Sequence, residues 1–179
     1  MNQRTEETKN ARISGLFRFT EKGKPGEPVT EAHFVKGLGM EGDRHADGGS
    51  RQLTLLSGET REWMDSQEVP GLCFRRYKAN LVTEGLNPED LKPGTRLKLG
   101  TAVLEVEESS KECFPECALH QSGTRCRLSS GGVYLRVVES GTANEPMTIM
   151  PGNALRFPKA LTQIQSRANV TTNISNTLL

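Results

Sequence analysis

The amino-acid sequence predicts a mainly β protein, with a closed or partly closed β-barrel and a few short helices. Apolar and polar residues alternate over several short segments, which is the pattern of half-buried strands. Turn sequences such as KPG at 24–26, GG at 48–49 and PG at 93–94 separate these segments. The regular exchange of strands and long helices that is typical of an α/β sheet does not occur in the sequence, so a barrel is favoured.

Seven segments carry the strand pattern. In chain order they are 12–19, 29–35, 52–56, 80–84, 96–100, 102–108 and 133–139. Helical pieces interrupt this series at three places. Ser57 is a suitable N-cap for a helix over 58–67, because its hydroxyl can accept a hydrogen bond from a free backbone N–H. Asn87 caps a single turn that begins at Pro88, and 115–121 could form two turns.

Composition excludes several classes of protein. The formal net charge is +1, which argues against the basic surface of a nucleic-acid-binding protein. No apolar run approaches the roughly 20 residues that span a bilayer, and the polar start of the chain predicts no secretory signal. We therefore expect a cytoplasmic protein with one domain at 11–158, preceded by a polar segment 1–10 and followed by a dispensable polar tail 159–179.

A glycine-rich basic loop at 37–52 is the first candidate site. Glycines expose backbone N–H groups, and Arg44, His45 and Arg51 add positive charge, so the loop suits a phosphate. The alternative is a solvated loop in which Asp43 pairs with one of the two arginines.

A second basic segment, RRYKANLVTEGL at 75–86, places Arg75, Arg76 and Lys78 immediately before Asn80 and an apolar strand. Cations at the mouth of a strand can converge on an anion, and the Asn80 amide supplies both a donor and an acceptor. Ordinary surface charge is the alternative interpretation.

The third candidate is the cysteine-rich segment 111–126. Cys113, Cys117 and His120 have helical spacing, and Cys126 could complete a Cys3His zinc site. Pro115, which lies between the first two cysteines, weighs against the required helix. The second interpretation is a reactive thiolate at Cys113, with the pKa lowered by the neighbouring Lys111. A third is that the cysteines are small buried hydrophobic residues, which suits Cys73 best.

Three segments in this order resemble a MOSC domain, the module named for the C-terminal part of molybdenum cofactor sulfurase. The resemblance is carried by GMEGDRHADGGSRQLTLLS, by ANLVTEGL with LKPGTRLKLGTAVLEVEE, and by KECFPECALHQSGTRCRLSSGGVYLRVVESG. It covers roughly residues 10 to 157 and is most similar to the compact bacterial stand-alone type.

The resemblance implies a MOSC-type β-barrel that binds the molybdenum cofactor, molybdopterin with Mo, which carries a phosphate and a metal-chelating dithiolene. The family's invariant cysteine falls on Cys113, which is then a Mo ligand or a sulfur carrier. The cofactor-binding residues that it implies are Arg44 and His45 in the Gly-Asp-Arg-His motif, Arg51, Lys78, and Asn80 in the Asn-Leu motif. Glu112 departs from the proline that larger members place before this cysteine.

Two functional hypotheses follow. The leading one is a cofactor-binding MOSC protein that carries or transfers sulfur to a metal-sulfur centre, or serves as a small molybdenum oxidoreductase module. An external sulfur donor or electron-transfer protein would be its partner, because 179 residues leave no room for a desulfurase or redox domain. The other is a non-catalytic β-barrel with structural zinc on the Cys/His cluster and a basic face that binds an anionic partner.

Overall fold

The computed structural model describes residues 11–151, so the predicted N-terminal segment 1–10 and tail 159–179 lie outside the described residues. The strands are β1 (Arg12–Arg18), β2 (Glu27–Pro28), β3 (Glu31–Val35), β4 (Gly39–Met40), β5 (Leu53–Ser57), β6 (Leu81–Glu84), β7 (Arg96–Leu99), β8 (Ala102–Glu108), β9 (Val133–Glu139), β10 (Gly141–Asn144) and β11 (Met147–Pro151). The helices are α1 (Gly58–Asp65), α2 (Ala118–Gln121) and α3 (Arg127–Gly131), and one 3-10 turn covers Pro88–Asp90.

Seven strands form a closed barrel. Neighbouring strands follow the order β11-β7-β8-β9-β5-β6-β1, and β1 pairs again with β11 to close the ring. Strand β2 extends β1 as a short hairpin, while β10, β3 and β4 form a separate small sheet. The mainly β prediction and the barrel are therefore confirmed.

One pair of barrel strands is parallel. Strands β5 and β6 run in the same direction, whereas the other described pairs are antiparallel. Parallel neighbours need a crossover connection. Helix α1 and the segment 66–80 supply it on the outer face of the barrel, and this segment carries several of the candidate site residues.

The interior of the barrel is filled by aliphatic side chains from every wall. A register shift between Ile13 and Gly15 allows both Ile13 and Leu16 to face inward, although they lie three positions apart. A second apolar cluster lies outside the barrel wall, beneath the crossover. Its buried members are Leu56, Cys73, Tyr77, Leu128 and Tyr134.

All seven predicted strands are present, with boundaries that differ by at most two residues. The sequence did not predict β2, β4, β10 and β11. Strands β2 and β4 are two residues long, and β10 is the polar sequence GTAN, so neither length nor alternation marks these three strands.

Two of the predicted helical pieces are also present. The Ser57 hydroxyl accepts a hydrogen bond from Thr60 N at 3.1 Å, and the Asn87 side chain accepts one from Glu89 N at 3.2 Å. The predicted helix over 115–121 is shorter, because helical structure begins only after Cys117. Helix α3 was not predicted. Among the described residues, no helix is long and apolar enough to cross a membrane.

Gly100, in the turn between β7 and β8, provides a test of the fold. Its φ is +60°, and an added Cβ would overlap the carbonyl oxygen of Thr142 on β10. Gly94 is a matched control, because its φ is +86° but nothing lies within 4 Å of an added Cβ. We expect Gly94→Ala to lower the free energy of unfolding by about 1 to 2 kcal/mol through its left-handed backbone. Gly100→Ala should lower the free energy of unfolding by a further ~1 to 3 kcal/mol through overpacking. Equal losses in urea unfolding would contradict this packing.

Candidate functional site

The buried carboxylate of Asp43 joins three parts of the chain. Its Oδ2 accepts hydrogen bonds from Phe19 N, just after β1, and from Asn80 Nδ2, just before β6, both at 2.8 Å. Its Oδ1 accepts from His45 N and faces His45 Nδ1, again at 2.8 Å. Asp43 is 6% exposed, so these donors replace the water that a carboxylate requires. The glycine-rich loop is thereby fixed to the barrel.

Asn80 is a structural member of this network. It is 1% exposed, and Nδ2 also donates to Phe17 O at 3.1 Å. Its Oδ1 accepts from Thr54 N at 3.1 Å, and its backbone N donates to Thr54 Oγ1 at 3.2 Å. The amide is therefore used inside the protein, and Asn80 positions Asp43 instead of presenting a free polar group.

His45 is the exposed end of the network. Because a carboxylate only accepts hydrogen bonds, Nδ1 carries the proton toward Asp43 and Nε2 remains an acceptor in the neutral ring. Within residues 11–151, no hydrogen bond engages Nε2. The ring meets Phe19 edge to face at 6.3 Å between centroids, and the side chain is 33% exposed. His45 can thus accept a proton or a hydrogen bond from a ligand.

Basic residues lie next to Phe19 and the glycine-rich loop. The Lys78 ammonium lies 6.0 Å from the centre of the Phe19 ring, and the backbone N of Arg44, whose side chain is exposed, donates to the Phe19 carbonyl at 2.8 Å. Arg18 also reaches this loop, because its Cδ lies 3.3 Å from the position of a Cβ on Gly42. Its buried Nε has no hydrogen-bond partner in the described part of the chain. Sequence reasoning missed Arg18, since alternation marked it only as a strand residue.

Arg51 is already paired. Its guanidinium donates to both carboxylate oxygens of Glu108, at 3.1 and 2.8 Å, and lies 4.4 Å from the centre of the Tyr134 ring. The hydrogen bond to Glu108 raises the pKa of Arg51. Asp43 pairs with neither Arg44 nor Arg51, so that alternative interpretation of the loop is wrong. The buried Asp43 is held by neutral donors and His45 instead.

All four cysteines line one cleft, with about 270 Å³ of empty space that is partly open to solvent. Cys113 and Cys126 are half-buried, whereas Cys73 and Cys117 are buried. The remaining lining residues are Gly71, Phe74, Lys111, Glu112, Phe114, Leu128 and Ser129. The crossover segment and the 111–126 segment thus bring together cysteines that lie up to 53 positions apart, from 73 to 126.

Lys111 contacts a different thiol from the one predicted. Its ammonium lies 3.0 Å from Cys73 Sγ, so the expectation that Lys111 lowers the pKa of Cys113 is wrong. Burial raises the pKa of Cys113, and the nearby sulfurs of Cys126, Cys117 and Cys73 raise it further. Cys113 therefore remains a thiol at neutral pH.

The pKa of Cys117 is shifted in the opposite direction. Its sulfur accepts a hydrogen bond from Leu72 N at 3.4 Å, and this bond, together with the backbone N–H of His120, lowers the pKa of Cys117 despite burial. Cys117 is the N-cap of α2, while His120 is exposed. Across residues 11–151, no three His, Cys, Asp or Glu side chains are grouped so that they could hold a metal ion, so the Cys3His set is not assembled there.

Tyr134 connects the basic loop to the cleft. Arg51 lies against its ring, and both Arg51 and Lys111 oppose the rise in the pKa of the Tyr134 phenol that burial causes. Tyr134 is also the register partner of Thr54, which contacts Asn80 and the carbonyl oxygen of Lys78. The two candidate sites therefore occupy one side of the barrel.

These features define a small β-barrel protein with a basic, glycine-rich loop beside a thiol-lined cleft. The sequence model of the MOSC domain matches residues 42–156, and the chain belongs to the MOSC domain family. That family is associated with molybdenum cofactor binding or sulfur transfer. No curated protein sequence matches the chain.

Solved structures that are similar to this chain are distant in sequence. The YuaD protein of Bacillus subtilis is 19% identical, with a TM-score of 0.55 over 76% of this chain and 92% of that one. A hypothetical protein is 18% identical, with a TM-score of 0.54 over 78% of this chain and 67% of its own. YiiM from Escherichia coli is 19% identical, with a TM-score of 0.49 over 78% of this chain and 69% of that chain.

The Asp43 network predicts a large stability difference between two neighbouring substitutions. Asp43→Ala leaves the buried donors of Phe19 and Asn80 without partners, so we expect a loss of at least about 3 kcal/mol in the free energy of unfolding. His45→Ala removes only the partly exposed ring and should cost about 1 kcal/mol. Denaturant unfolding measures both, and a mild effect of Asp43→Ala would show that the carboxylate does not fix the loop.

Thiol alkylation tests the pKa assignments. Only the thiolate reacts with iodoacetamide, and the pKa of Cys113 lies above its ordinary value of 9.0. The alkylation rate of Cys113, followed by peptide mass spectrometry, should therefore rise about tenfold per pH unit from about pH 6 to pH 9. Cys117, with its lowered pKa, should level off at a lower pH. A plateau for Cys113 below about pH 8 would mean that its surroundings stabilise the thiolate.

Proposed function

We propose that this MOSC protein binds a phosphate-bearing molybdenum cofactor beside the basic loop and that Cys113 carries sulfur for delivery to a metal-sulfur centre. The observation that supports this most directly is the cleft in which four thiols lie next to a basic surface. A cluster of thiols favours sulfur carriage over the related role of a single Mo ligand in an oxidoreductase module. Cys113 would serve in either role.

The cations of the loop suit the phosphate of the cofactor. Lys78 carries its charge close to Phe19, and Arg44 is exposed on the loop. Arg18, which pairs with Glu27 through Nη2, has an Nε without a partner in the described part of the chain. Arg51 can join them once an anion displaces Glu108, because a phosphate also accepts two hydrogen bonds from one guanidinium. His45 offers Nε2, while Asn80 and Asp43 hold its ring in place.

The thiols suit a thiophilic centre. When bound, the cofactor supplies a high-valent metal with sulfur ligands, and thiolate is the side chain that such centres prefer. Cys113 is half-buried, so it is accessible from solvent while the cleft shields it. Uptake of sulfur would proceed once the Cys113 thiol loses its proton to solvent. The thiolate attacks the outer sulfur of a donor persulfide, which releases the donor as a thiolate. The donor is an external persulfide-bearing protein.

Phosphate affinity should depend on Arg51 and on its partner. Arg51→Ala should weaken binding of inorganic pyrophosphate about tenfold, because a charge-assisted contact is lost. Glu108→Gln should strengthen binding, since it removes the carboxylate that competes for the guanidinium. Arg12→Ala, which breaks a comparable exposed pair with Glu84, is the control and should change nothing. Melting temperatures should move little in all three variants, because exposed pairs contribute about 0 to 1 kcal/mol. Unchanged calorimetric affinity in Arg51→Ala would move the anion site elsewhere.

Elemental analysis tests the function as a whole. Protein purified from a host that makes molybdenum cofactor should contain Mo and pterin, and protein from a host that cannot make it should contain neither. Cys113→Ala should abolish uptake of sulfur from a persulfide donor, while Cys117→Ala should retain it. About one zinc per chain, held through Cys113 and lost with unfolding on chelation, would instead support the structural-zinc alternative.

A further inference from the structure

Two of the four thiols in the cleft are accessible. Cys113 and Cys126 are both half-buried, and both line the cleft. The other two sulfurs are buried and engaged. Cys117 accepts from Leu72 N, and Cys73 lies 3.0 Å from the Lys111 ammonium. Cys126 is therefore the thiol best placed to react with a group carried on Cys113.

Sulfur carriage on a cysteine leaves a redox requirement unmet. The outer sulfur of a persulfide is more oxidised than sulfide by two electrons, so its departure as sulfide requires a two-electron donor. A second thiol can supply these electrons by thiol–disulfide exchange, provided that its sulfur reaches the inner sulfur of the persulfide. Cys113 and Cys126 line the same cleft, so one chain holds both thiols that this step requires.

We propose that Cys126 is a second catalytic residue, which releases sulfur from Cys113 as hydrosulfide. This inference rests on the sulfur carriage proposed above. The Cys126 thiolate attacks the inner sulfur of the Cys113 persulfide, the persulfide S–S bond breaks, and a Cys113–Cys126 disulfide forms as HS⁻ departs. The proton of the Cys126 thiol goes to solvent. A small thiol reductant then returns two electrons and two protons and restores both thiols.

The position of the two sulfurs fits these roles. Both line the same cleft, so the release step needs no residue from outside it. A high pKa at Cys113 does not hinder the release step, since in that step Cys113 is the sulfur under attack. Attack on the inner sulfur also leaves the outer sulfur as the leaving group, in the reduced form that a metal centre can accept.

Single-turnover sulfur release tests the inference on the full chain. Reduced protein is loaded with inorganic polysulfide, freed of excess reagent, and followed without added reductant. Hydrosulfide is measured in solution, and peptide mass spectrometry locates persulfides and disulfides. The variants are Cys126→Ser, with Cys117→Ser and Cys73→Ser as matched controls in the same cleft. Wild type and both controls should release hydrosulfide and acquire a Cys113–Cys126 disulfide. Cys126→Ser should keep its persulfide and release hydrosulfide at least tenfold more slowly.

Wild-type release at the same rate in Cys126→Ser, or a disulfide that links Cys113 to Cys117 or Cys73, would overturn the inference while leaving sulfur carriage intact. If no variant forms a persulfide on Cys113, the proposed sulfur carriage is overturned, and this inference with it. A second experiment uses only wild-type protein, so it does not depend on whether the variants fold. Wild-type protein treated with glutathione disulfide should form the Cys113–Cys126 disulfide, and its absence after full oxidation would also overturn the proposal.

Discussion

The constraint on which the site depends is the desolvation of one carboxylate. A buried Asp43 without donors would cost several kcal/mol, so the fold must bring donors to it from three separate parts of the chain. It does so with the end of β1, the start of β6 and the loop itself. The loop consequently has a defined conformation despite its glycines. Arg51, at its end, lies against Tyr134 and pairs with Glu108.

The parallel β5–β6 pair determines where the thiols lie. Its crossover has to pass over the outside of the barrel, and the Tyr77 hydroxyl fastens it there through the carbonyls of Leu55 and Val133, at 2.8 and 3.1 Å. The segment that passes over the wall carries Cys73, and α3 packs beneath it with Leu128. A second apolar cluster thus forms outside the barrel, and the cleft is its exposed edge. The cysteines share a cleft because of this topology, since their spacing along the chain alone does not bring them together.

The sequence was sufficient for the barrel class and for six of its seven strands, because alternation reports directly which side chains face a core. It missed β11, which closes the ring. It was also sufficient for the caps at Ser57 and Asn87, where a local side chain satisfies a local backbone group. Side-chain contacts between residues distant in sequence could not be predicted. Nothing in the order of residues indicates that Lys111 will reach Cys73, 38 positions away, or that Glu108 will occupy Arg51. Membership of the MOSC family pointed to the three relevant segments, but the detailed contacts had to come from the structure.

Closure of the barrel has a consequence for how the protein is made. The ring closes where Arg12 pairs with Thr148, so its first and last strands come from opposite ends of the described chain. During synthesis, β1 leaves the ribosome early and has no partner on that side until almost the whole domain has been translated. An exposed strand edge is a template for pairing with other chains. Such long-range pairing is also slow, because the entropy cost of closing a long loop comes before the stabilising contacts form. The nascent chain should therefore depend on chaperones that shield its N-terminal strand, and its yield should fall when translation outpaces that protection.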